Sequence, residues 1–153
     1  YEIMTSLVGS EMCIRDRITS SQLLIADEKF LSLKKDKVYV RYGPSFDSPI
    51  KYIYRKINLP IKQIDKKENW RRIIDLNNNS GWIHWRMLKK PNSIIALKNK
   101  ILFKKPTIYS EPIVKLEKGR LLIIKKCENN WCNVTTGEYL GWVKIKNVWG
   151  STK

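Results

Sequence analysis

The strongest constraint on what this chain can fold into is an internal repeat. Glu68-Asn69-Trp70-Arg71-Arg72-Ile73 returns as Asn129-Asn130-Trp131-Cys132-Asn133-Val134 at an offset of 61, and Gly81-Trp82-Ile83 returns as Gly141-Trp142-Val143 at an offset of 60. Ser48-Pro49-Ile50 aligns with Glu111-Pro112-Ile113 at an offset of 63, which sets Val38-Tyr39-Val40-Arg41 opposite Ile101-Leu102-Phe103-Lys104. The matches keep their order with small insertions between them, as a duplicated structural unit does. A chain of 153 residues built this way divides into two units, residues 30–90 and 91–150, rather than around one large core. A unit of about 60 residues hides only about 60% of its unfolded surface and is marginal alone. The two are therefore expected to pack in tandem across the short join Lys90-Pro91-Asn92-Ser93.

Each unit is expected to be a set of short strands. Val38 to Arg41 alternates, Ile50 to Tyr54 is rich in strand formers, and Pro60 to Asp65 alternates again. Trp70 to Asp75, an Asn77-Asn78-Asn79-Ser80-Gly81 turn and Trp82 to Trp85 complete the first unit. No amphipathic run is long enough for a helix, so the fold class is all-β, a small barrel or sandwich in each unit.

Val40-Arg41-Tyr42-Gly43-Pro44-Ser45, with Pro49 ahead of the next strand, resembles the opening signature of bacterial Src-homology-3-like (SH3b) domains, Val-Arg-x-Gly-Pro-Ser. Strands led by Trp70 and Trp131, and the closing strands Gly81-Trp82-Ile83 and Gly141-Trp142-Val143, match the family's later landmarks. The resemblance implies two tandem small SH3-like β-barrels, a non-catalytic binding role and a place in the bacterial cell envelope. Within it, Gly43 is expected to take a positive φ, and Gly81 and Gly141 to let Trp82 and Trp142 pack into the core. The second unit has Lys104-Lys105-Pro106-Thr107 where the first has its glycine loop. That loop is expected to be built differently, so a groove of the family's shape is expected in the first unit.

Residues 1–17 lack the Lys, Ile and Asn richness of the rest, and Ser6 to Arg17 resembles the peptide made when sequencing-adapter DNA is translated in metagenome assemblies. The segment is read as an artefact, with a natural N-terminal tail as the alternative. In residues 18–29, Leu23-Leu24-Ile25-Ala26 before Asp27-Glu28-Lys29 looks like the end of a secretory signal cleaved near Ala26, the remainder lost upstream. An exported, periplasmic protein is expected on that reading. No apolar run reaches the roughly 18 residues of a membrane-spanning helix.

The formal net charge of +16 raises the question of a polyanion partner. Lys supplies 22 of the 30 positive side chains and Arg 8, alongside 20 Ile and 2 Ala, a bias that A/T-rich codons produce. Dedicated phosphate readers lean on the planar fork of Arg, so nucleic acid is disfavoured as a partner. A nucleic-acid reading, kept as an alternative, would use Lys34, Lys35, Lys37, Arg71, Arg72, Lys125 and Lys126 with stacked aromatics. Otherwise the charge implies a modest attraction to anionic envelope polymers.

Cys127 and Cys132 flank Glu128-Asn129-Asn130-Trp131, read as a four-residue hairpin loop. Residues closing a hairpin face each other at about 4.5–5.5 Å between α-carbons, which suits a disulfide. Two reduced structural thiols are the alternative. The pair lacks further ligands for a metal, the lone His84 being in the other unit, and is not a redox Cys-x-x-Cys. A disulfide would imply an oxidising compartment.

No nucleophile motif, phosphate loop or dinucleotide fingerprint is present, so no enzyme activity, no cofactor and no metal is expected. Asp47, Asp65 and Asp75 fall in or beside turns, where Asp caps backbone amides. Binding is what remains. Tyr39, Tyr42, Phe46, Tyr52, Tyr54, Trp70 and Trp85 gather in the first unit, and the resemblance implies a groove between aromatic loops that takes a peptide, a cell-wall component or an envelope protein. Tyr42, Phe46 and Trp85 are the expected groove residues; Tyr39 and Tyr54 are assigned by alternation to one face. A structural spacer in an envelope assembly is the remaining alternative.

Overall fold

The computed structural model describes residues 29–152. The adapter-like segment, and the leader remnant apart from Lys29, lie outside the described residues. The first module runs through β1 (Lys29–Leu33), β2 (Val38–Arg41), β3 (Ile50–Tyr54), β4 (Pro60–Lys67), β5 (Trp70–Ile74), β6 (Ser80–His84), a 3-10 turn (Trp85–Met87) and β7 (Leu88–Lys89). The second repeats it with β8 (Ser93–Ala96), β9 (Lys100–Phe103), β10 (Pro112–Leu116), β11 (Leu121–Glu128), β12 (Trp131–Thr136), β13 (Tyr139–Lys144) and β14 (Val148–Trp149). The protein is all-β. Each module forms one seven-stranded antiparallel sheet, in the order β3-β2-β6-β5-β4-β1-β7 and β10-β9-β13-β12-β11-β8-β14.

Period-two alternation decides which side chains enter each barrel. Val38 and Val40 of β2, Ile61 of β4, Ile73 of β5 and Ile83 of β6 are fully buried around Leu33. The second core gathers Ile94, Leu102, Leu122, Cys132, Val134 and Val143 in the same way. Bulges fall at corresponding places, between Val40 and Arg41 and between Leu102 and Phe103, and again on the long strands β4 and β11. A bulge bends its strand and sharpens the twist, which lets a single sheet curl around a core.

The register corrects the sequence alignment by one residue. Arg41 pairs with Trp82 and Phe103 with Trp142, so β2 corresponds to Lys100–Phe103 at an offset of 62. Pro49 and Pro112, which anchored the offset of 63, are not equivalent: Pro49 precedes β3, whereas Pro112 opens β10. The loop after β9 also departs from expectation, because it is built like the first. Tyr42 N–H donates to Pro49 O at 3.0 Å, Ser45 N–H to Gly43 O at 2.9 Å and Ser48 N–H to Ser45 O at 3.1 Å. Lys104 to Glu111 at 3.0 Å, Thr107 to Lys105 at 2.8 Å and Ser110 to Thr107 at 3.2 Å reproduce the set. Gly43 does not take a positive φ. A Cβ there would sit 2.8 Å from Ser48 Oγ, a side-chain atom that can move aside, as the equivalent loop with Lys105 and Ser110 shows.

Trp82 and Trp142 are half-buried on the outer face, not core residues. Gly81 and Ile83 occupy the inward positions of β6, and Gly141 and Val143 those of β13. A Cβ on Gly81 would overlap Val40 Cγ1 and lie 3.1 Å from Arg41 O; one on Gly141 would lie 2.7 Å from both Leu102 Cγ and Phe103 O. The glycines thus permit β6 and β13 to cross close over β2 and β9, where those strands meet the bulges of β3 and β10. Tyr39 and Tyr54 fall on opposite sides. Tyr39 is exposed, while Tyr52 and Tyr54 pack on the core. Tyr54 donates to the buried Asp75 at 2.8 Å. Asp75 also accepts the backbone N–H groups of Asn77 and Asn79 at 2.9 and 3.0 Å, capping the turn as expected. Burial, reinforced by the Tyr52 and Asp75 contacts, holds the Tyr54 hydroxyl far above its ordinary range.

The modules meet across β1 and β8. All four residues of β8 are buried, Ile94 and Ala96 inward and Ser93 and Ile95 toward the first module. Ser93 Oγ lies 3.3 Å from Ser32 Oγ and donates to Asn58 O, and Asn92 N–H donates to Ser32 Oγ at 3.2 Å. Trp149 reaches back, its indole N–H 3.0 Å from Pro60 O and its ring edge-on to Phe30 at 5.0 Å.

Gly81→Ala and Gly141→Ala are each expected to destabilise by about 1–3 kcal/mol through overpacking, read as a lowered denaturant midpoint at unchanged slope. A midpoint that does not move would refute the close-crossing account.

Candidate functional site

Three local decisions bring a set of aromatic side chains together at one end of the first module. The β5–β6 hairpin turns through residues 75–79 and places Trp70 opposite His84 in register, while the β4–β5 turn at Glu68 and Asn69, with Glu68 at φ 52°, leads the chain into β5 at Trp70. His84 ends β6, and its Nδ1 accepts the Arg86 backbone N–H at 3.3 Å, capping the 3-10 turn that carries Trp85. The loop between β2 and β3 then folds over so that Phe46 meets both: its ring is 4.9 Å from Trp70, edge to face, and 5.3 Å from His84, stacked. His84 also stacks on Trp85 at 6.3 Å.

Between this cluster and the segment leading into β2 lies a groove of ≈ 780 Å³. Trp70, only 8% exposed, belongs to its wall, with Phe46 (67% exposed) and Trp85 (46%) offering open ring surface. Tyr39 and Met87 complete the apolar and aromatic lining, and Arg41 borders it. Arg41 does structural work at this edge. Its Nη1 donates to Ser48 O at 2.9 Å and to Phe46 O at 3.2 Å, and its guanidinium lies over the Tyr39 and Phe46 rings at 6.0 and 5.7 Å. One side chain thereby ties the loop to the sheet.

Cations dominate the groove's charge: Lys35, Lys37, Arg41 and Arg86 stand against Asp36. Partial burial, aided by the Arg86 and Arg71 charges, lowers the pKa of His84 below its ordinary value. The imidazole is therefore neutral at pH 7, as its acceptor role at Nδ1 requires. No Ser, Thr or Cys lines the groove, and among the described residues no group of three or more His, Cys, Asp or Glu side chains could hold a metal ion.

Of the expected groove residues, Phe46 and Trp85 line it and Tyr42 does not. Tyr42 is 62% exposed, with Lys51 Nζ 5.5 Å over its ring. Trp70, Tyr39, Arg41 and His84 are the additions. The pairing of Trp70 with His84 depends on the β5–β6 register, which the sequence leaves open. The alternative basic set does not form one cluster. Lys35 and Lys37 line the groove, Arg71 donates to Glu68 O at 2.7 Å and Trp70 O at 3.0 Å, and Lys125 and Lys126 stand exposed on β11.

In the second module Glu128 pairs with Trp131, so the hairpin turn contains two residues, Asn129 and Asn130, rather than four. Cys127 and Cys132 are the next pair in register, with α-carbons 4.0 Å apart and their sulfurs joined in a disulfide. Cys132 is fully buried in the core.

The family model of the bacterial SH3 domain matches the chain twice, over residues 34–90 and 98–150. Comparison with curated proteins finds no match. Among solved structures the chain is similar to NlpC2 and NlpC1 from Trichomonas vaginalis, each at 9% identity and a TM-score of 0.36 over 79% of this chain. It spans about half the length of those neighbours, 47% and 45% respectively.

Because His84 is the chain's one histidine, a single imidazole resonance reports it. Its titration midpoint is expected below the ordinary value of about 6.5. The unfolded chain then binds the proton first, so stability is complete above about pH 6.5 and falls as the pH drops toward the lowered folded value. A midpoint at or above about 6.5 would refute the neutral-acceptor role.

Proposed function

Since the chain belongs to the bacterial SH3 domain family through both of its halves, we propose that it is a non-catalytic binding module of the bacterial cell envelope, whose first-module groove takes an extended peptide. The observation that carries this reading is the continuous aromatic wall of Phe46, Trp70, His84 and Trp85 above a rim of lysine and arginine. Extended peptides dock well against preformed aromatic grooves, where side-chain burial costs little entropy because the receptor is already ordered. The cationic rim favours a peptide bearing carboxylates, such as a cell-wall peptide, over a neutral proline-rich one. The same chemistry would accommodate an acidic segment of an envelope protein.

An exported, periplasmic location fits the disulfide, because such bonds persist in oxidising compartments. Closing a loop this short constrains the unfolded chain by about 2 kcal/mol in the chain-entropy model. Among the described residues no helix is long and apolar enough to cross a membrane.

Titration of uncrosslinked cell-wall peptides into the labelled protein is expected to shift Phe46, Trp70 and His84 resonances. Trp85→Ala should weaken that binding about tenfold, as loss of an aromatic anchor does, while Trp142→Ala leaves it unchanged. Absence of shifts at all three groove residues for acidic, cell-wall and proline-rich peptides alike would overturn the reading.

Alkylation without reductant, followed by peptide mass analysis of protein recovered from the periplasm, should leave Cys127 and Cys132 unmodified. Modification of both would refute the oxidised state.

A further inference from the structure

The second module carries a cleft at the position of the first module's groove, with different chemistry. It has a volume of ≈ 330 Å³ and is bounded by Phe103, Ile108 and Trp131 where the first groove has Arg41, Phe46 and Trp70. Lys144 and Lys146 replace His84 and Arg86, and Lys98 replaces Asp36, the acidic residue of the first groove. With Lys100, four ammonium groups line this small space, and no carboxylate lines it.

Lys100 is the informative member. The first module has the fully buried Val38 at this place in the strand, so β9 puts a lysine where the core would accept an aliphatic side chain. Its ammonium donates to Lys144 O at 3.2 Å and to Lys146 O, which uses two of three donors and leaves one. Burial, with the Lys144 and Lys146 charges beside it, lowers the Lys100 pKa below its ordinary value. Like charges gathered this way repel one another, and an anion in the cleft would relieve that repulsion.

We propose that this cleft binds a phosphate ester carried on a sugar or polyol, Lys98, Lys144 and Lys146 meeting the phosphate and Ile101 and Ile108 the carbon skeleton. Lysine ammonium groups act as point charges suited to a phosphate, whereas recognition of a planar carboxylate favours the arginine fork, which this cleft lacks. A nucleic-acid strand is a poorer fit. Single strands bind by stacking bases on open aromatic faces, and here Phe103 and the half-buried Trp131 pack edge to face on each other at 5.7 Å. The site is separate from the first-module groove and does not depend on what that groove binds.

The test is an NMR titration of the full chain with glycerol 3-phosphate, with glycerol as the neutral control. Glycerol 3-phosphate is expected to shift Ile101, Ile108 and Trp131 resonances and to raise the Lys100 titration midpoint. Lys144 and Lys146 are exposed, so Lys144→Gln/Lys146→Gln should fold normally and weaken binding about fivefold to tenfold; Trp85→Ala should leave it unchanged. Equal responses to glycerol and glycerol 3-phosphate, or undiminished binding by the double variant, would overturn the proposal. So would tighter binding of a single-stranded oligonucleotide than of poly(glycerol phosphate) with the same number of phosphates, which would assign the cleft to nucleic acid.

Discussion

Each barrel depends on one close crossing, where a strand without a side chain passes over a bulge. Gly81 lies against Val40 and Arg41 O, and Gly141 against Leu102 and Phe103 O. A single register pair joins the strands there, Arg41 with Trp82 and Phe103 with Trp142. The bulge ends the regular pairing of β2 with β3 at Arg41 and directs the arginine toward the loop, where it holds the carbonyls of Phe46 and Ser48. Phe46 can then rest on Trp70 and His84. Core, loop and groove are thus consequences of one steric arrangement, in which the absence of a Cβ is the critical chemical fact.

Around that crossing, each module keeps the frame and varies the fittings. The two loops share their backbone hydrogen bonds, and a side-chain hydroxyl supports each: Ser45 Oγ accepts Asp47 N–H at 3.0 Å and Thr107 Oγ1 accepts Tyr109 N–H at 3.3 Å. Neither needs a glycine with positive φ, which is why Lys105-Pro106-Thr107 can replace Gly43-Pro44-Ser45 without rebuilding the turn. Hubs below the surface differ as well. Asp75 organises a turn in the first module, while Arg120 Nε donates to Thr136 Oγ1 at 2.7 Å in the second.

The strands, the duplication and the family were legible in the sequence because they leave marks that recur: alternation, turn residues, tryptophans at fixed offsets. Orientation was legible only where both faces carry side chains. Trp82 is expected inward, yet the inward position belongs to Gly81, and a glycine leaves no hydrophobic mark. Tyr42 was taken for a groove residue from its place in the loop, but the loop's curl sends it toward Lys51. Conversely, His84 gains its place from the β5–β6 register, which the turn over residues 75–79 sets. Such single-residue decisions are set by backbone hydrogen bonds that amino-acid types specify weakly.

Trp149, near the end of the described residues, packs on Phe30 and Pro60 of the first module, while Ser93 and Ser32 meet beside it. These contacts join the two barrels, one set at the connection and the other from the last strand, so the two clefts are held on one body. For a polymer that carries both of the elements the two clefts are proposed to take, occupancy of one cleft would raise the effective concentration at the other, provided their spacing matches. Modest affinities at each cleft can then sum to firm retention on a polymer, and a fragment with one recognition element gains nothing from the second module. On the proposed function, these contacts would make the protein sensitive to ligand spacing as well as to ligand chemistry.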